Sequence, residues 1–390
     1  MNQDFKNTKL SIFHLVSLMG RGGRAATALR QIRLLSARGH RVTVGCLADS
    51  TVEAAAREMG LEVFSDFQFR RGFKVGAFWG DCRRVSTRCD LNKVDILHTH
   101  LSQESWAGCF GSRMAARRPV VIRSRGVVVP VKPHYFNRLM HNRWTDHVVA
   151  PSRTIFEHLC SLPGFNREKV SLIPDGVDIA RFSPQVDGTA IRREFNIPES
   201  APLVVMVARL ERVKGHEIFF KAVAEMIRSG KVTGLRALCA CDERTPGAYE
   251  KTIALARELG ADAATLTFTG LRADAEKIIA AADVVALPSL GSEGSSRVAL
   301  ETAASGKPLV ASSVGCLPEV VENGVTGLIV PPGDPSALAA ALQKVLLDPA
   351  SARTMGAAAR KRAETLFDEN IMVERLESLY QNEAAKRAAR

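Results

Sequence analysis

The chain has no uninterrupted apolar run near the roughly 18 residues that a membrane-spanning helix needs, which sets aside a helical integral membrane protein. Its first residues, "MNQDFKNTKLSIFHLV", also lack the apolar core of a secretory leader. The eight cysteines form no C-x-x-C pair and are too sparse for a disulfide scaffold, so neither a zinc ribbon nor a small secreted domain fits. Reduced thiols and a cytoplasmic location are expected, with at most a peripheral attachment to a membrane. No D-x-D pair, low-complexity tract or short tandem repeat occurs anywhere.

What is present is a folded-protein composition, 46% hydrophobic and 24% charged, over 390 residues. That length exceeds one ordinary core and fits two domains. The net charge of +12 is unevenly placed. Residues 1–185 hold 28 lysines and arginines against 15 acids, and residues 186–390 hold 25 against 26. The first half is therefore expected to face something anionic, such as a phospholipid surface, a phosphorylated lipid or a nucleic acid. No recognisable nucleic-acid module accompanies that charge, so a nucleic-acid partner is not expected.

Apolar runs alternate with helical patterns through the first half: "LSIFHLVSL", "HRVTVGCL", "VDILHTH", "PVVIRSRG", "DHVVAPS" and "VSLIPDG" read as strands. "RAATALRQIRLLSARG" reads as an amphipathic helix closed by Gly39. After a Pro, Gly and Asp-rich connector near residue 185 a second series follows: "PLVVMVARL", "LRALCACD", "ATLTFTG", "ADVVALPS", "KPLVASS" and "TGLIVPP". Both halves predict α/β, doubly wound parallel sheets, with domains over 1–185 and 186–367. The Ala-rich C-terminal segment predicts one or two surface helices, the last, about 368–390, packing back on the first domain.

Ligands of open parallel sheets bind at the carboxyl ends of the strands. After the first strand, "GRGGRA" supplies Gly20, Gly22, Gly23 and Ala25, and Asp49 ends the next strand, as a dinucleotide site would require. A nicotinamide-dependent oxidoreductase is therefore one reading; a phosphate loop or a tight turn is another. In the second half, Arg209 and Lys214 follow a strand and suit a diphosphate. "SEGSSRVALE" then places Glu293 ahead of a helix starting near Ser295, with Gly294, Ser295, Ser296, Arg297 and Val298 at its N-terminus and Glu301 about two turns along. Acids flanking an anion cradle describe a nucleotide-sugar site.

"EGSSRVALE" resembles the E-x7-E motif of the family 4 retaining glycosyltransferases, and "TAASGKPLVASSVGCLPEVVENGVTGLIVPPGD", "LVVMVARLERVKG" and "LIPDGVDIARFSP" are similar to that family in order and position. The resemblance implies a GT-B fold, two Rossmann-like domains facing a deep cleft. It implies Glu301 on the donor ribose, Glu293 near the transferred sugar, and Arg209 and Lys214 on the diphosphate, whose negative charge they would stabilise without a metal. Gly22 and Gly23 would approach the phosphates or the acceptor, and Gly270 and Leu271 would face the base. In the family a histidine often follows the strand matching "VVIRSRG"; here Arg125 and Gly126 stand there, so His98, His100 and Arg125 are the candidates for the sugar or acceptor.

By the same resemblance the reaction is sugar transfer from a UDP- or GDP-linked donor to a lipid-linked or saccharide acceptor, as in lipopolysaccharide or cell-surface polysaccharide synthesis. No cofactor is expected. "FQFRRGFKVGAFWGDCRR" and "VKPHYFNRLMHNRW" interleave aromatic and basic residues, which suits an anionic membrane surface on the cytoplasmic side. A non-catalytic sugar-nucleotide or membrane-binding protein would use the same residues.

Overall fold

A computed structural model of the chain describes residues 8–20, 22–69, 74–126, 134–242, 247–291 and 293–389. Parts of both basic-aromatic stretches, 70–73 and 131–133, lie outside the described residues. The chain divides into two compact units, Met1–Gly176 with Glu369–Arg390, and Val177–Asp368.

The first unit is built on β1 (Ser11–Val16), β2 (Arg41–Leu47), β3 (Glu62–Phe67), β4 (Ile96–Thr99), β5 (Val120–Ser124), β6 (His147–Ala150) and β7 (Val170–Leu172). They pair in parallel in the order β3-β2-β1-β4-β5-β6-β7. Helices cover both faces, which is why its central strands read as continuous apolar runs rather than alternating ones. Ile12, Val16, Ile96 and Ile122 pack on one face with Ala28 and Ile32 of the Gly23–Ala37 helix. Phe13, Leu15, Leu97 and Val121 pack on the other with Val85 and Cys109.

The second unit holds β8 (Leu203–Arg209), β9 (Arg236–Asp242), β10 (Leu266–Phe268), β11 (Val284–Leu287), β12 (Leu309–Ser312) and β13 (Gly327–Val330), all parallel, in the order β10-β9-β8-β11-β12-β13. The strand order reverses between β1 and β4 in one unit and between β8 and β11 in the other. Such a reversal opens a crevice at the strand carboxyl ends, because the flanking connections leave in opposite directions.

Two expectations change. The unit boundary falls at Gly176/Val177 rather than at 185, because Val177 and Phe182 are buried in the second unit's core with Ala303 and Ala304. Arg360 fastens this segment there, donating to the carbonyls of Ile179 and Phe182 at 2.9 Å each. The final helix, Glu369–Ala388, is not merely a surface element. Its Met372, Val373, Leu376 and Tyr380 are buried in the same core as Ile12 and Ile32. Glu369 at its start pairs with Arg30 at 3.0 Å and Arg33 at 2.5 Å.

Candidate functional site

In the second unit, two loops at the β8/β11 reversal are stitched together. Arg209 closes β8, and a 3₁₀ turn, Arg212–Lys214, leads to Gly215, which opens the His216–Ser229 helix. Val213 O accepts from Leu290 N at 2.8 Å. Gly215 adopts φ +75°, and a Cβ there would stand 1.9 Å from the Pro288 carbonyl oxygen, so only glycine lets the two loops meet.

This contact brings together residues far apart in sequence. Lys214 Nζ donates to Glu293 Oε1 at 2.7 Å, and Ser289 Oγ donates to the same oxygen at 2.6 Å. Glu293 is only 4% exposed. Its carbonyl accepts from Cys316 N at 2.8 Å, and Gly315 lies so close that a Cβ would be 2.0 Å from that carbonyl. The β12 loop therefore fixes the backbone of Glu293 while the β8 and β11 loops fix its carboxylate. Ser289, Gly315 and Cys316 carry no distinctive sequence spacing; the position of Ser289, next but one after an apolar strand, was the only signal for it.

The helix after this loop spans Arg297–Ala304 with Ser296 as N-cap, two residues later than expected. No side chain caps it and no acid stands in its first turn, so Gly294, Ser295, Ser296, Arg297 and Val298 form an amide-rich end suited to an anion. Ser296 N does meet Cys316 Sγ at 3.2 Å. Glu301 lies one turn from the helix start rather than two, is 3% exposed, and accepts from Arg297 Nη2 at 2.8 Å. Arg209 donates to Glu211 at 2.5 Å. Both arginines thus carry an acid partner that an incoming diphosphate would have to share or displace. Gly270, at φ +68°, and the exposed Leu271 follow β10, two strands from β8.

In the first unit Gly22 is the N-cap of the Gly23–Ala37 helix, again with no capping side chain and no acid in the first turn. Asp49 follows β2 at φ +56°, exposed, its amide donating to Glu53 at 2.8 Å. His98 is engaged at both ring nitrogens: Nδ1 meets the Tyr380 hydroxyl at 2.5 Å and Nε2 meets Ser124 Oγ at 2.9 Å. His100 Nε2 meets His14 Nδ1 at 3.0 Å. Burial pushes all three imidazoles down, His100 to about 3, so they are neutral at pH 7. The ligand atoms of His14, His98 and His100 lie within 4.8 Å of one another, which gives the described residues one donor set able to hold a metal ion. His98 would have to exchange a hydrogen bond to join it. Sequence reading missed His14 and Tyr380, which sit inside apolar patterns.

Residues 201–348 match the family model described as glycosyl transferases group 1, and residues 21–181 match glycosyltransferase family 4. A D-inositol 3-phosphate glycosyltransferase of Corynebacterium diphtheriae is 36% identical over 220 residues, covering 55% of this chain and 51% of that protein. The chain thus spans about half the length of the curated relatives it matches. Among solved structures, a glycosyltransferase of Rickettsia africae superposes with a TM-score of 0.88 at 18% identity, covering 96% of this chain and 99% of that one. The Anabaena HepE protein, in complex with UDP and glucose, superposes at 0.80 and 21%, covering 95% and 99%. With both units matched by glycosyltransferase models and both sheets wound in the Rossmann manner, the chain belongs to the family 4 glycosyltransferases of the GT-B fold.

Proposed function

We propose that the chain moves a sugar from a UDP- or GDP-linked donor to an acceptor hydroxyl, with retention at the anomeric carbon and without a metal. The observation that carries this reading is the Lys214–Glu293 pair, buried at the strand reversal beside an uncapped helix N-terminus. As the glycosidic C–O bond breaks, its electron pair goes to the diphosphate. Lys214, Arg209 and the amides ahead of Arg297 then stabilise the added charge. Glu293 holds the lysine in place and meets sugar hydroxyls, and Glu301 accepts from the ribose. The UDP and glucose bound to HepE support the donor class. Oxidoreductase chemistry at the N-terminal glycines would leave these four residues without a task.

A thermal-shift panel with UDP, GDP, ADP and NAD tests the donor. One nucleoside diphosphate at a hundred times its Kd stabilises the protein by about 2.7 kcal/mol. Glu301→Ala weakens that ligand about 10- to 100-fold, the cost of losing a hydrogen bond to a charged group. Stabilisation by NAD alone sinks the proposal.

The acceptor reading is a lipid-linked or saccharide molecule of cell-surface polysaccharide or lipopolysaccharide synthesis, met at the cytoplasmic face of an anionic membrane. Among the described residues no helix is long and apolar enough to cross a membrane. Support comes from the first unit's surface, where Trp79, Tyr135 and Phe136 are 43%, 71% and 60% exposed, with exposed Lys74, Arg83 and Arg138 in the same segments. Phe110 links them, its ring 6.2 Å from Trp79 and 4.7 Å from Trp144. Co-sedimentation with phosphatidylglycerol vesicles checks this. Binding falls as salt rises, and Trp79→Ala, Tyr135→Ala and Phe136→Ala each lower it about tenfold or more, since each inserted aromatic contributes about 1.5 kcal/mol or more. Equal binding to uncharged phosphatidylcholine contradicts it.

A further inference from the structure

Arg123, on β5, is 7% exposed, and its one hydrogen-bond partner among the described residues is not a carboxylate. Its single hydrogen bond among the described residues runs from Nη1 to His141 Nδ1 at 3.4 Å, and its Nε is buried without a partner. The acid whose charge acts on it, Glu104, is already committed: Oε2 accepts from Ser17 Oγ at 2.5 Å, and Oε1 from the amides of His100 and Leu101. A guanidinium removed from water without a counterion is costly, so its retention calls for an anion at some stage of function.

More positive charge gathers at the same strand end. Arg125 follows two residues later on the same face of the strand. Beside it, the aliphatic stem of Arg24, from the first turn of the Gly23–Ala37 helix, lies 3.7 Å from where a Gly126 Cβ would stand. Burial, Arg123 and Arg24, in that order, push the Arg125 guanidinium down to about 10. Burial, Arg123 and Arg125 hold His141 down to about 2, so the imidazole beside Arg123 is neutral and accepts rather than repels.

We propose that Arg123 and Arg125, with His141 beside them and Arg24 at the rim, form an anion site that takes a phosphate group carried by the acceptor. The buried Arg123, whose Nε has no partner, supplies the charge-assisted planar pairing that a phosphate monoester takes, and Arg125 stands two residues along the same strand. The site belongs wholly to the first unit, and it rests on the glycosyltransferase reading only for the word acceptor.

The test is a thermal shift of the full chain with inorganic phosphate against chloride at matched ionic strength, alone and with saturating UDP or GDP. Phosphate raises the Tm by at least about 2 °C, and the rise persists with the nucleotide bound. Arg123→Gln and Arg125→Gln each abolish the phosphate increment and keep the nucleotide increment, and Arg123→Gln leaves the Tm without phosphate unchanged or higher, since it removes an uncompensated buried charge. Arg125→Gln, at the strand end, serves if Arg123→Gln does not fold. A phosphate increment that is absent, that survives both substitutions, or that vanishes when the nucleotide binds overturns the proposal; in the last case the anion is the donor's diphosphate. Failure of every nucleotide to stabilise the chain sinks the donor reading instead and leaves the phosphate arm readable.

Discussion

Lys214→Ala lowers turnover by about 10²- to 10³-fold, the range found when one preorganised donor to a developing anion is removed. The same substitution destabilises the second unit by about 3 kcal/mol, because Glu293 is left buried with Ser289 as its one remaining side-chain partner among the described residues. The lower end of the usual range applies, since the lysine side chain is 19% exposed. A double-mutant cycle separates the two effects. Glu293→Gln removes the buried charge, so Lys214→Ala with Glu293→Gln recovers most of the stability in a denaturant titration. Turnover does not recover, because the cation proposed to meet the diphosphate is still missing. If Lys214→Ala turned over within a few-fold of the parent, the leaving-group role assigned to the lysine would be wrong. If the double variant were no more stable than the single one, the pair would not be the buried ion pair described here.

Most of the fold was legible because both sheets are buried on two faces, which writes each strand as an apolar run. All six strands of the second unit and six of the first were visible in this way. The exception, β3, reads EVFSDF and is only partly covered at the sheet edge, so polar residues break its pattern. The final helix was underestimated for a related reason. Its apolar residues are outnumbered by polar and charged neighbours, yet Met372, Val373, Leu376 and Tyr380 recur at helical spacing and are all buried. Of the candidate site, the sequence singled out the residues with chemical character: Arg209, Lys214, Glu293, Arg297 and Glu301. Their pairing was not, since no spacing rule ties Lys214 to a residue 79 positions away. The buried Arg123 was passed over because it lies inside an apolar run, where a charged residue gains meaning only once its lack of a counterion is seen.

The contact that creates the Lys214–Glu293 pair is testable at a residue with no side chain. Gly215→Ala faces two separate costs. An alanine at φ +75° carries about 1 kcal/mol of backbone strain, and its Cβ cannot remain 1.9 Å from the Pro288 oxygen, so the 212–215 turn must move away from the β11 loop. Forced displacement in a packed region adds about 1 to 3 kcal/mol. Gly230→Ala supplies the matched control: it caps the far end of the same helix at φ +61° with nothing within 4 Å of its Cβ position, so it bears the strain without the clash. Denaturant titration of the two variants is therefore expected to differ by about 1 to 3 kcal/mol, with Gly230→Ala losing only about 1 kcal/mol. Turnover divides them further. A shift of about 1 Å at Lys214 misplaces the cation relative to the leaving oxygen and costs about 100-fold, whereas Gly230→Ala leaves turnover near the parent value. Equal losses in both variants would mean that the loop absorbs the extra methyl group, and that the close approach of Gly215 to Pro288 does not set the position of the lysine.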